Sequence, residues 1–156
     1  MKTLAEAFEH TLKDIYYAEQ AILKAGPKVE KAVKTADLKK AISDHMAETQ
    51  EQVKMLEGVF DMIGVKPQGE KCDAIDGLIK ECEGIMADAK GEALEAAAIG
   101  VLQAIEHYEI ARYGTLREWA NTLGNPEAAD QLGRILDMEK AANNRLTGIA
   151  VTEVNG

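Results

Sequence analysis

The sequence predicts an all-α protein: an antiparallel four-helix bundle with an additional helix in the connection between helices two and three. Long segments carry apolar residues at helical spacing, and glycine, proline and polar turn residues divide those segments into two pairs. The composition agrees. Apolar residues make up 46% of the 156 and aromatic residues only 4%. Ala, Leu, Glu and Lys are abundant, and these side chains lose little freedom in a helix. The length suits a single domain over residues 1–156.

The first helix is expected from about Leu4 to Val33, with Leu4, Phe8, Leu12, Ile15, Glu19 and Ile22 on one face. Gly26-Pro27 is expected to bend or end it. Thr35-Ala36-Asp37 reads as a tight turn. The second helix runs from about Leu38 to Ile63, and its stripe is Leu38, Ile42, His45, Thr49, Gln52, Leu56, Val59 and Ile63. Gly64 then suits a helix C′ position, with Pro67 beyond it. The next stretch is too long for a turn and reads as a connection with its own helix, about Cys72 to Ala89. The third long helix spans about Ala93 to Leu123, with Leu102, Ile105, Glu109, Leu116 and Ala120 on one face. Gly124-Asn125-Pro126 stops it and starts the fourth, about Glu127 to Ala150, with Pro126 near N1. Leu132, Ile135, Glu139, Ala142 and Leu146 face inward there, and the tail VTEVNG is expected to fray. Two hairpins joined by one long crossover have the connectivity of ferritin-like bundles.

The formal net charge of −9 repels phosphate and argues against nucleic-acid binding. No run approaches the roughly 18 apolar residues of a membrane span. The N-terminal MKTLAEAFEHTLKDI has acids where a signal peptide needs an apolar core, so a cytoplasmic location is expected. Cys72 and Cys82 form no CxxC motif and read as reduced thiols on the connecting helix.

The acids on the apolar stripes are the informative feature. Glu19 sits between Ile15 and Ile22, and Glu139 between Ile135 and Leu146. Glu109 is on the third helix's stripe, with Glu106 one turn earlier on the same side. In helix two Glu48 borders the stripe, flanked by His45 and Gln52, and Glu51 follows at i+3. Glu19 and Glu48 are 29 residues apart across the first turn, and Glu109 and Glu139 are 30 apart across the second. Each pair therefore lies at one height in its hairpin. Four core-facing carboxylates at one level repel one another and lose hydration if ionised. Protons, basic partners or metal ions would relieve them, and hard cations with oxygen ligands are the simplest relief. A chain with 27 acids also sets some on stripe edges by chance. Tyr16, Tyr17, Tyr108 and Tyr113 stand near these acids and could hydrogen-bond ligands or serve redox steps, but they read first as helix-packing residues. His45 shares the face of Glu48, whereas His107 and His10 are expected near or at the surface.

The runs FEHTLKDIYYAEQAILKA, HMAETQEQVKMLEGVF, KPQGEKCDAIDGLI and AIEHYEIARYGTLREWANTLG resemble the YciE/YciF group of bacterial stress proteins, within the ferritin-like superfamily. The resemblance runs from about Thr3 to Leu146, and EHYEIARYGTLR is its most specific part. It implies a homodimer, a di-metal site like that of rubrerythrin, and an association with stress. The superfamily pattern is one Glu from each of two helices and Glu-x-x-His from each of the other two. By position Glu19, Glu48, Glu139 and either Glu106 or Glu109 match the carboxylates. Glu51 stands where the pattern's first histidine would be, and Ala142 where the second would be. An all-oxygen site of this kind holds iron or manganese, with magnesium or calcium also suited. The expected ligands are Glu19, Glu48, Glu106, Glu109 and Glu139, with Glu51 or His45 filling in and two divalent ions per chain. One expectation is therefore a di-metal protein with redox or metal-handling activity on an unknown small substrate. The other is a non-catalytic dimeric stress protein whose acidic core holds a structural metal or only protons.

Overall fold

The computed structural model describes residues 1–155. It contains five α-helices in chain order: α1 Leu4–Ala32, α2 Ala36–Met62, α3 Asp73–Asp88, α4 Glu92–Thr122 and α5 Pro126–Ile149. There is no strand among the described residues.

The helix ends are set by local chemistry. At the start of α1 the Glu6 amide donates to Thr3 Oγ1 at 3.2 Å, and the Thr3 amide donates back to Glu6 Oε2 at 3.2 Å. This reciprocal box satisfies two otherwise orphaned donors. Both α2 and α4 end in a left-handed glycine, Gly64 with φ 69° and Gly124 with φ 76°. In each case two amides fold back on the last turn: Gly64 to Asp61 and Val65 to Phe60, then Gly124 to Asn121 and Asn125 to Ala120. That is the Schellman pattern, which only a residue tolerant of positive φ completes without strain. Asn125 then caps α5, accepting from the Ala128 amide at 3.1 Å, with Pro126 in the first turn.

α1 runs through Pro27 to Ala32, close to the expected Val33, so of the two alternatives at Gly26-Pro27 the end does not occur. Val29 and Val33, both buried beyond the proline, hold the last turn against the core. The tail does not fray up to Val154. Ala150–Val154 forms a short π-helical segment with Ala150 and Val154 buried, packed on α4 and α5. Gly156 lies outside the described residues.

The four long helices close a ring in which α1 packs on α2 and α4, and α5 packs on α2 and α4. The core between them is built from Leu12, Ile15, Leu38, Leu56, Phe60, Leu116, Leu132 and Ile135. Tyr16 meets Phe60 edge to face at 5.4 Å. The crossover lays α3 against α4 and α1. It is pinned on the way, where the Glu70 amide donates to the Lys13 carbonyl at 3.1 Å. Glu95, near the start of α4, closes over the α1–α2 turn. Its carboxylate accepts from the Lys34 amide, the Thr35 amide at 2.7 Å and the Thr35 hydroxyl at 2.7 Å. Cys72 and Cys82 are free and buried.

Candidate metal centre

Helical spacing puts four glutamates inside the ring. Glu19 comes from α1, Glu106 and Glu109 from successive turns of α4, and Glu139 from α5. Glu19, Glu109 and Glu139 are 0% exposed and Glu106 is 3% exposed. α2 contributes His45, whose Nε2 lies 3.2 Å from Glu106 Oε1. One ligand atom from each of His45, Glu106, Glu109 and Glu139 can be chosen so that all lie within 4.8 Å of one another. Glu19 adjoins this set through Glu109 and accepts a hydrogen bond from the Tyr113 hydroxyl.

The electrostatics follow from burial. Loss of hydration pushes the Glu19 carboxyl up to about 8, and the charge of Glu139 adds to it. Burial likewise pushes Glu106 up to about 11, with Glu139, Glu19 and Glu48 adding. Glu109 is raised well above its ordinary value by burial, with Glu139 and Glu19 contributing. Even so, six carboxylate oxygens accept from no donor outside the cluster: Glu19 Oε2, Glu106 Oε2, both of Glu109 and both of Glu139. Their close polar neighbours are one another, Glu19 with Glu109 and Glu106 with Glu139. Buried acceptors left this way are costly. The cluster contains acceptors and one imidazole, the donor set of a hard or borderline divalent cation.

Two residues expected at this site stand elsewhere. Glu51 is exposed on the outer side of α2, with Lys54 Nζ at 3.7 Å. Glu48 is exposed at the rim of a neighbouring cavity, close enough for its charge to act on Glu106. The inward row of α2 is His45, Thr49 and Gln52, and Glu48 is turned about 100° from Thr49. Gln52 is 0% exposed with both amide atoms unpartnered, a feature the sequence marked only as a stripe position. Of the four tyrosines near the acids, Tyr113 is the one that donates to a buried glutamate of the cluster, Glu19. That partner is 94 residues away in the chain, so local spacing offered Tyr113 as a candidate without naming its partner. His107 is exposed with Nδ1 against the Gln103 carbonyl at 2.8 Å, and His10 is half-buried beside Glu70 at 2.9 Å.

The family model for a domain of unknown function, DUF892, matches residues 3–156. The chain belongs to the DUF892 family. Within that family it is 39% identical to protein YciF of Escherichia coli strain K12 over 157 aligned positions, covering 99% of this chain and 95% of YciF. The crystal structure of that stress protein matches with a TM-score of 0.95 over 99% of both chains. YcfI of Rhodopseudomonas palustris, described as a candidate structural protein, matches with a TM-score of 0.90 and 46% identity over 94% of each chain. This DUF892 chain is thus of the YciF type in sequence and in fold. No helix among its described residues is long and apolar enough to cross a membrane.

Proposed function

We propose that this chain is a ferritin-like stress protein whose core binds divalent metal ions, two per chain, among Glu19, Glu106, Glu109, Glu139 and His45. The observation that carries the reading is the set of six buried carboxylate oxygens that have no donor outside the cluster. Glu48, at the rim, would join by a rotamer change, whereas Glu51 is left to the surface. The ring of α1, α2, α5 and α4 with one long crossover supports the ferritin-like assignment. The description of YciF as a stress protein supports the physiological setting. Iron or manganese bound there would supply Lewis acidity and, for iron, redox chemistry toward oxygen or peroxide. The chain's own part is to hold the ligands in fixed rotamers, to exclude water, and to hold a proton on Tyr113 against Glu19. The protein would work as a cytoplasmic homodimer.

Metal binds the folded chain and not the unfolded one, so adding ferrous or manganous ion should raise the melting temperature and chelation should lower it. Glu139→Gln should remove most of that response, and Glu30→Gln should leave it unchanged. An unchanged response in Glu19→Gln and Glu139→Gln would refute the reading. A second reading, a non-catalytic core held by protons, is favoured by the raised Glu106 and Glu109 carboxyls. It predicts no metal response and no metal-dependent consumption of oxygen or peroxide.

A further inference from the structure

Beside the carboxylates lies a cavity of about 170 Å³, open to solvent at its rim and lined by residues from all five helices. Its walls are apolar, built by Ile22, Ile42, Ile105 and Leu146. Small residues from three helices line it, Ala25 of α1, Ala41 of α2 and Ala142 of α5, while the Met46 side chain fills the space beside Gly26. Protein interiors are otherwise close-packed, and a void of this size lowers stability. Small side chains from three helices converging on one space are therefore a poor packing solution and a good binding one. An apolar cavity of about 150 Å³ in another protein stays dry and takes up benzene.

The cavity also has a polar end. His45 and Glu106 line it, and their buried Nδ1 and Oε2 atoms have no hydrogen-bond partner outside the cluster. At the rim stand Lys28, Asp44, Glu48, Glu83 and Arg145. Arg145 is committed to Asp44 at 2.9 Å, which leaves two acids facing one lysine. A rim of that sign, on a chain of net charge −9, disfavours an anionic guest.

We propose that this cavity binds a small uncharged molecule, with an apolar body about the size of a benzene ring and one hydrogen-bonding head set against Glu106 and His45. This gives the candidate centre its substrate class and rests on the metal reading for any reaction, while the binding step needs no ion.

The test is a calorimetric titration of the metal-free full chain with phenol, benzene and benzoate. Phenol should bind once per chain and at least tenfold more tightly than benzoate, with benzene between them. Ala142→Phe should put a ring into the cavity and remove phenol binding, and Ala25→Leu should do so from the opposite helix. Absence of saturable phenol binding to the wild type at millimolar concentration would overturn the proposal. So would benzoate binding as tightly as phenol, or undiminished phenol binding in both filled variants. Glu139 does not line the cavity, so Glu139→Gln should keep phenol binding while losing the thermal response to metal. Phenol failing where the metal response persists removes the cavity proposal alone. The reverse result removes the metal reading and leaves the pocket.

Discussion

Glu95 and Glu139 are both glutamates on long helices, and they stand in opposite conditions. Burial raises the Glu95 carboxyl, but the Thr35 and Lys34 amides and the Thr35 hydroxyl outweigh that and leave it below its ordinary value. Glu95→Gln should therefore lower stability by about 1–2 kcal/mol, since hydrogen bonds to a charged group exceed neutral ones. An unchanged denaturant midpoint would refute it. Glu139 accepts from no amide or hydroxyl, and its close polar neighbour is another buried carboxyl, that of Glu106. Glu139→Leu should stabilise the metal-free chain by about 1–3 kcal/mol, because it takes one member out of a crowded buried set. Destabilisation on chemical unfolding would mean that Glu139 has a partner in the metal-free state. Sequence reasoning reached Glu19, Glu106, Glu109 and Glu139 because each falls on the apolar row of its own helix. For Glu48 the local row and the superfamily pattern disagreed, and in the structure the row governs: Thr49 is buried and Glu48 is not.

Helix ends were readable because their causes are local. Gly64 and Gly124 end helices in the structure as their neighbours in sequence require. The crossover was readable only as a long connection with a helix in it, because what fixes its path is distant in the chain. A Cβ added at Gly69 would stand 3.1 Å from Tyr17 Cβ and 3.3 Å from Tyr17 Cα. The neighbour there is helix backbone, which cannot swing aside. Gly69→Ala should cost about 1 kcal/mol or more through this crowding, with a lower melting temperature. Gly77→Ala, open to solvent space, should not lower it. Equal melting temperatures for the two variants would show that the crossover is not held against α1. The same approach carries Tyr17 to Asp76, whose Oδ1 accepts from the tyrosine hydroxyl at 2.9 Å.

For the whole molecule the two kinds of acid give opposing pH dependences. In the metal-free protein Glu19 and Glu106 sit at about 8 and about 11 against an ordinary 4.5. The folded state then binds more protons than the unfolded chain above about pH 4.5, so stability falls as pH rises from there toward 8. Glu95 is lowered, so its contribution is present above the ordinary carboxylate value and is lost as pH falls through its own. The melting temperature of the metal-free chain should peak near pH 5 and be lower at pH 8. Saturating metal should remove the loss at pH 8, because the ion takes the deprotonated ligands. A metal-free melting temperature that rises from pH 5 to pH 8 would contradict the buried cluster. The all-helical architecture was legible at this scale from period and punctuation. The cavity was not, since it depends on small residues of separate helices meeting at one height.

The hold of Glu95 on the first turn has a consequence for exchange with solvent. Lys34 and Thr35 are turn residues, and turn amides ordinarily trade their hydrogens for deuterium within moments. Here both are bonded to a carboxylate about 60 residues further along, on the second hairpin. Their exchange rates therefore report how often the Glu95 carboxylate leaves the turn. In deuterated buffer, Glu95→Gln should speed exchange at these two amides while leaving the interior amides of α1 and α2 slow.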